Sequence, residues 1–242
     1  MYLSYNSDVG RVRAENQDKI CAGFLADDIS LAVVCDGMGG AASGAVASDI
    51  AATEIYKRVS NGFRDGMKPS TIQNLLETAV CAANAIVFAK SCEDIEKNGM
   101  GTTCVVALTI GKRAYIINVG DSRAYLMNDS GITQITEDHT YVNELYKHGE
   151  ITFEEMQNHR MKNIITRAIG VEENVEPDFY EIEQHDNFAL FLCTDGLYSY
   201  CHPQIIYESV FNKNLDKGVS DLIDYCNECG GKDNISAAVI AN

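Results

Sequence analysis

Proline is scarce in this chain: there are 3 in 242 residues, and no proline- or serine-rich stretch divides it. That excludes an obvious linker and favours one domain over residues 1–242. Positive charge is also short. Against 35 Asp and Glu stand 19 Lys and Arg, for a formal net charge of −16. Such a surface repels phosphate backbones and anionic headgroups, which argues against nucleic-acid and membrane-surface partners. No apolar run approaches the length of a membrane span, and no secretory leader opens the chain, so the expected compartment is the cytoplasm. A disulfide framework is missing too. The nine cysteines are odd in number, and most lie in apolar runs. Cys35 in LAVVCDG, Cys104 in TTCVVAL and Cys193 in LFLCTDG read as small buried hydrophobes. CNEC, from Cys226 to Cys229, has redox or zinc spacing but no second pair to match it.

What the chain does hold is 46% hydrophobic residues, enough at this length for a sizeable core. Strand-like runs cover 19–24, 29–37, 102–110, 113–121, 122–128, 131–136, 187–196 and 234–242. They are rich in β-branched and aromatic residues and bounded by Gly, Asn and Asp. Between Thr71 and Lys90, Ile72, Leu75, Leu76, Ala79, Val80, Ala83, Ile86 and Val87 mark one face of an amphipathic helix, with Ser70 as its N-cap. Ser43 to Val59 is an alanine-rich helix suited to close packing on a sheet. HPQIIYESVF and VSDLIDYCNEC read as two shorter helices. Strands, two long helices, then strands with short turns do not alternate as a doubly wound sheet does. The expected class is α+β: packed antiparallel sheets with helices outside, and a polar, helix-prone excursion at 139–170 over one face.

LAVVCDGMGGAASG, from Leu31 to Gly44, runs from a strand through a glycine-rich turn into a helix. A phosphate cradle would need G-x-G-x-x-G or a Gly-Lys-Ser/Thr ending. The spacing gives neither, and Asp36 at the strand tip would repel a pyrophosphate. One Asp-Gly pair is a common turn and proves nothing. Repetition changes the weighing. Asp36-Gly37, Asp121, Asp195-Gly196 and Asp233 all sit at strand ends beside glycine or a small polar residue. If the fold brings those ends together, the carboxylates repel one another unless cations lie between them. Oxygen-only ligation suits Mg²⁺ or Mn²⁺, and the lack of His and Cys in these turns argues against zinc. Ahead of the second strand-like run, SDVGRVRAENQD holds Arg13 and Asp18. An arginine beside a carboxylate-held metal pair can take two phosphate oxygens, although a lone arginine is more often a surface ion pair.

Together SDVGRVRAENQD, DGMGG, GTT, NVGDSRAYL, TEDHTYVNEL, ITRAIG, CTDGL and KDNIS resemble, in order and interval, the bacterial type 2C metal-dependent protein phosphatases of the PPM family. The resemblance spans nearly the whole chain. It implies two packed antiparallel sheets flanked by helix pairs, with a flap at about 141–165 beside a metal cleft. It also implies roles for this chain's residues. Asp36 bridges two cations, Mn²⁺ or Mg²⁺, and the Gly37 carbonyl ligates one of them. Asp195 and Asp233 complete the second site, Asp18 supports the centre through water, and Asp121 with Asp195 holds a third, weaker cation. Arg13 holds the substrate phosphate, and Met38 packs.

Two metals roughly 3.5–4 Å apart clamp the nucleophile and phosphate and lower the pKa of a bridging water, so no phosphoenzyme is needed. The leaving group's proton comes from metal-bound water or from His139. The implied activity is serine/threonine phosphoprotein hydrolysis by a free-standing monomer opposing a Ser/Thr kinase. A phosphoprotein-binding pseudophosphatase and a small-molecule phosphatase are the competing readings; loss of a metal aspartate would favour the first, and none is lost. Ala41 and Ala45 depart from the family's opening motif, where a histidine and a glutamate are common, which bears on how the first helix is anchored. NHRMKN in the flap lacks a common proline.

Overall fold

The computed structural model describes residues 1–40, 43–93, 99–183, 187–211 and 213–242. Ala41 lies outside them. Two antiparallel sheets lie face to face. The first is ordered β1 (Tyr2–Asp8), β11 (Ile235–Ala241), β10 (Phe188–Cys193), β7 (Arg123–Asn128), β8 (Gly131–Gln134). The second runs β2 (Asp18–Ala26), β3 (Ile29–Met38), β5 (Cys104–Ile110), β6 (Arg113–Val119), β9 (Asp178–Glu183), with β4 (Gly101–Thr102) on the end of β3. Helices α1 (Ser43–Gly62) and α2 (Pro69–Ser91) cover the second sheet. Helices α5 (Asp195–Tyr198), α6 (Pro203–Val210) and α7 (Leu215–Glu228) cover the first. The excursion between β8 and β9 carries α3 (Tyr141–Lys147) and α4 (Phe153–Asn158).

The alternation of side chains explains the layers. In β3, Leu31, Val33 and Cys35 pack under α1 and α2, while Ala32 and Val34 face the other sheet. In β10, Ala189, Phe191 and Cys193 pack under α5–α7, while Leu190 and Leu192 face inward. Both faces of the central strands are buried, which is why they read as near-continuous apolar runs. The inter-sheet layer is built from Ala32, Val34, Val105, Ala107, Ala114, Ile116, Ala124, Leu190, Leu192, Ala238 and Ile240.

Several expectations need correction. The N-cap of α2 is Lys68, not Ser70. Pro69 takes the first helical position, where its missing N–H costs nothing, and no side chain caps the end. By length and composition α2 could cross a membrane, contrary to the reading of the sequence. Its stripe of Ile72, Leu76, Ala79, Val80, Ala83 and Val87 is instead buried in the core with α1 and the sheet. The run at 102–110 is two strands broken at Thr103, which leaves the ladder to bind Asp36. Strands β1 and β9 lie at sheet edges and were not anticipated: Ser4 and Asn6 interrupt the apolar pattern of β1, and in β9 only Tyr180 and Ile182 alternate with Glu181 and Glu183. All nine cysteines are free, and Cys226 is buried while Cys229 is exposed, so CNEC forms no site.

Candidate metal centre

The same alternation that builds the inter-sheet layer builds the site. Follow the inward positions toward one end of the sandwich and they turn polar. Ala22 and Ile20 lead to Asp18 in β2, and Ala32 and Val34 lead to Asp36 in β3. Ile116 leads to Asn118 in β6, Leu192 to Thr194 after β10, and Ala238 to Ser236 in β11. Antiparallel pairing puts all of these at one end: Asp18 lies opposite Asp36, and the Thr194 N–H donates to the Ser236 carbonyl. Asp121, Asp195 and Asp233 follow or precede strands at that end.

The backbone around Asp36 is held from β4. The Asp36 N–H donates to Thr103 Oγ1 at 3.0 Å, the Thr103 N–H donates to the Asp36 carbonyl at 2.8 Å, and Thr102 Oγ1 donates to the same carbonyl at 2.8 Å. This is the physical content of GTT. The next residue must be glycine: a Cβ at Gly37 would lie 2.1 Å from the Gly44 carbonyl oxygen and 2.6 Å from that of Gln17. The start of α1 is thereby drawn onto the end of β3. Ala45 provides no acidic anchor; instead Ser48 Oγ donates to the Gln17 carbonyl at 2.6 Å, which fixes the helix to the same turn. Met38 packs, its Cε against Gly101.

Asp195 opens α5. A Cβ at Gly196 would meet the Asn234 carbonyl oxygen at 1.9 Å, so this glycine lets the Asp233–Asn234 segment close on Asp195. Asn234 stitches on the third piece. Its Nδ2 donates to the carbonyls of Val9 and Glu15 at 2.9 and 3.0 Å, and its Oδ1 accepts the Gln17 N–H at 2.9 Å. The loop that carries Arg13 is thus bound to the loop that carries Asp233, and Arg13 Nη2 donates to Asp233 Oδ2 at 2.9 Å. The Arg13 side chain is 54% exposed, within reach of a ligand on the open side.

Electrostatics confirm the convergence. The Asp36 carboxyl is raised well above its ordinary range, first by burial, then by the charges of Asp18, Asp195, Asp121 and Asp233. Burial is also the leading cause for Asp18 and Asp121, each pushed up to about 7, and for Asp195, pushed up to about 6. Asp36 and Asp195 stay half-buried, surrounded by protein yet open to an ion from solvent. Asp18 is 8% exposed; its Oδ2 accepts from Thr194 Oγ1 at 2.9 Å, while its buried Oδ1 has no partner. An unpartnered buried carboxylate oxygen among like charges fits a cation, and an all-oxygen donor set fits a hard divalent one. Among the described residues no three acidic, histidine or cysteine side chains close on a single point. A cation here would therefore draw part of its shell from water and a backbone carbonyl, as small divalent ions do.

Residues not anticipated complete the picture. Arg123 makes a bidentate pair with Asp138, with Nε–Oδ1 at 3.0 Å and Nη2–Oδ2 at 2.7 Å, and its Cζ lies 3.6 Å from the centre of the Tyr198 ring. The Tyr198 hydroxyl donates to Asp121 Oδ2 at 3.4 Å. NVGDSRAYL and TEDHTYVNEL carry this network, but nothing in either stretch announces that one arginine and one aspartate will pair across fifteen residues. His139, one of the two proton donors considered, lies away from the open side. It is 5% exposed, its Nδ1 accepts the Gly120 N–H at 3.1 Å, and its Nε2 faces Asp178 at 3.1 Å. The excursion returns past Thr140–Ile165 and Thr102–Ile169 bridges, which place its end beside the GTT segment.

Comparison with known proteins agrees with this arrangement. The family described as Protein phosphatase 2C matches residues 11–239. The serine/threonine phosphatase stp of Listeria monocytogenes is 34% identical over 99% of this chain and 95% of its own length. The Mycobacterium tuberculosis serine/threonine phosphatase PstP/Ppp superimposes with a TM-score of 0.87 at 33% identity, over 98% of this chain and 97% of that one. The catalytic domain of PstP in complex with two manganese ions gives a TM-score of 0.85 at 32% identity, over 98% and 96% of the two chains. With a family match over residues 11–239, and with sequence identity and fold superposition over nearly its full length, this chain belongs to the protein phosphatase 2C family and is a serine/threonine protein phosphatase.

Proposed function

We propose that the chain hydrolyses phosphoserine and phosphothreonine in proteins by direct attack of an activated water, with no phosphoenzyme. The observation that carries this reading is the gathering of Asp18, Asp36, Asp121, Asp195 and Asp233 at one end of the sandwich. In it, Asp36, the Gly37 carbonyl, Asp195 and Asp233 hold two divalent cations, Mn²⁺ or Mg²⁺, and Asp18 supports them through water. Asp121 with Asp195 holds a third. Such cations, when bound, lower the pKa of water between them and neutralise the phosphate. Arg13 binds the phosphate oxygens, for which a planar guanidinium is suited.

The hydroxyls at the site support water as the nucleophile, because Thr102, Thr103, Thr194 and Ser236 are all buried and hydrogen-bonded within the protein. Thr102 bonds Asp36, Thr103 lies 2.7 Å from Ser122, Thr194 bonds Asp18, and Ser236 lies 2.7 Å from Ser7. With His139 buried, the leaving alkoxide takes its proton from solvent on the open side. The free thiols support a reducing compartment, and so a cytoplasmic enzyme. The same reading takes phosphoproteins, a Ser/Thr kinase among them, as its partners and a monomer as its working form.

The test is hydrolysis of a phosphothreonine peptide by purified protein with Mn²⁺, with Mg²⁺ and with excess chelator, beside Asp195→Ala. Turnover that needs the cation and is lost in the variant supports the reading. A folded, cation-loaded wild type with no turnover on phosphoserine or phosphothreonine peptides would overturn it.

A further inference from the structure

We propose that His139 is a positioning residue that grips the Gly120–Asp121 turn and thereby sets the cation affinity of Asp121. The inference rests on the reading of Asp121 as a cation ligand given above. Both polar backbone groups of Gly120 are taken by one residue. The Gly120 N–H donates to His139 Nδ1 at 3.1 Å, and the His139 N–H donates to the Gly120 carbonyl at 3.0 Å. Because Nδ1 accepts, the ring proton sits on Nε2 and is donated to Asp178 Oδ2 at 3.1 Å. Asp178 is fixed in turn by Arg167, whose Nη1 donates to its Oδ1 at 2.7 Å. The His139 carbonyl accepts the Thr166 N–H at 2.8 Å. Backbone and ring together, this one buried residue joins the β6–β7 turn, both ends of the excursion, and β9; the ring itself ties the turn to β9.

Asn118 Nδ2 also donates to the Gly120 carbonyl, at 3.1 Å, so the imidazole's own share of the grip is the Gly120 N–H. Gly120 has φ +100°, a region open chiefly to glycine, and a Cβ there would lie 2.7 Å from the Cβ of Thr103. Asp121 is the next residue, so rotation of the Gly120 peptide swings its carboxylate. Removing the Nδ1 acceptor leaves a buried N–H unpaired, and the peptide relaxes away from its present plane. Partners one step behind a metal ligand act in this way, by fixing where the ligand's oxygens stand.

Three variants separate this role from simple packing. His139→Asn places an amide oxygen near the Nδ1 position and keeps the Gly120 bond. His139→Gln reaches toward Asp178 and lacks the acceptor at Nδ1. Val142→Ala opens a comparable small defect in α3, where Val142 is buried, and touches no polar group of the turn. Mn²⁺ binding is followed by calorimetry and by the electron paramagnetic resonance of free Mn²⁺, without substrate, and thermal unfolding is recorded beside it. The expected result is a weakest binding phase lowered about 10-fold or more in His139→Gln, the range found for outer-shell partners. His139→Asn restores most of it, Val142→Ala leaves it unchanged, and the tighter phases stay near wild type throughout. A weakest phase unaltered in His139→Gln, or lowered equally by Gln, Asn and Val142→Ala, overturns the proposal. A wild type with no weak phase overturns the reading of Asp121 itself, and the proposal with it; that failure shows in the wild type alone.

Discussion

Stripped of cations, the protein should lose stability as the pH rises from 5 to 8. Asp18 supplies the magnitude. Its carboxyl is raised from the ordinary 3.8 to about 7, chiefly because burial disfavours the charge. A carboxyl whose folded pKa lies above its unfolded value keeps its proton longer in the folded state. Its contribution is complete below the unfolded pKa and is lost as the pH climbs through the folded one. Of the rise of about 3 units, about 2 lie between pH 5 and 7, and at about 1.4 kcal/mol each they give about 3 kcal/mol over that span. For a chain of this size that lowers Tm by roughly 10 °C. Asp121 and Asp195, raised to about 7 and about 6, act in the same direction. They share one another's charge, so a single group's worth is the safer magnitude. His139, lowered by burial, acts oppositely below its ordinary 6.5 and blunts the slope there. The assay is calorimetry or circular dichroism across pH, in chelator and in saturating Mn²⁺, since the chain has no tryptophan to report. Mn²⁺ should flatten the slope, and Asp18→Asn should raise Tm in chelator at pH 8. A Tm in chelator that stays level or rises between pH 5 and 8 would refute the reasoning.

Three further outcomes are expected. Gly37→Ala should cut cation-dependent turnover at least 10-fold, because its Cβ would meet backbone at 2.1 Å, whereas Gly40→Ala, with nothing within 4 Å, should stay near wild type. Arg13→Lys should raise KM for a phosphopeptide by about 10-fold with Tm within about 1 °C, since it removes a bidentate fork from an exposed site; an unchanged KM would take Arg13 out of phosphate binding. Under native conditions a thiol reagent should modify Cys81, Cys92 and Cys229 quickly and Cys21 more slowly, and reach buried Cys35, Cys104, Cys193, Cys201 and Cys226 only on unfolding.

Asp36, Asp121 and Asp195 stood out because each sits where an apolar strand stops, and Asp233 because it stands just before one, whereas Asp18 took its part from the resemblance. Helix α2 was legible from its spacing and α1 from its alanine content. What stayed hidden was long-range or edge-bound. Ser70 looked like a cap because serine favours that role, but Pro69 had already decided where the helix begins. The grip of Thr103 on Asp36 needs a strand to leave its ladder, and the Arg123–Asp138 pair needs a turn to fold back. Neither event has a periodicity to read. β9 is an edge strand of six residues in which Tyr180 and Ile182 alternate with the exposed Glu181 and Glu183, too short and too charged a run to stand out. His139 was visible as a histidine near the site, but only its two nitrogen partners reveal that it braces a turn.

The layer between the sheets is thin in a way that matters. Ala32, Ala107, Ala114, Ala124 and Ala238 make up five of its eleven fully enclosed side chains. Small residues in this layer let the two pleated surfaces settle close together, and that separation decides how near Asp18 and Asp36, on one sheet, stand to Asp195 and Asp233, beside the strand ends of the other. The alanines thus work as a spacer gauge. A single added methyl pair, as in Ala32→Val or Ala238→Val, would act like a shim under one jaw of a vice: the jaws still exist, but what they were cut to hold no longer touches both.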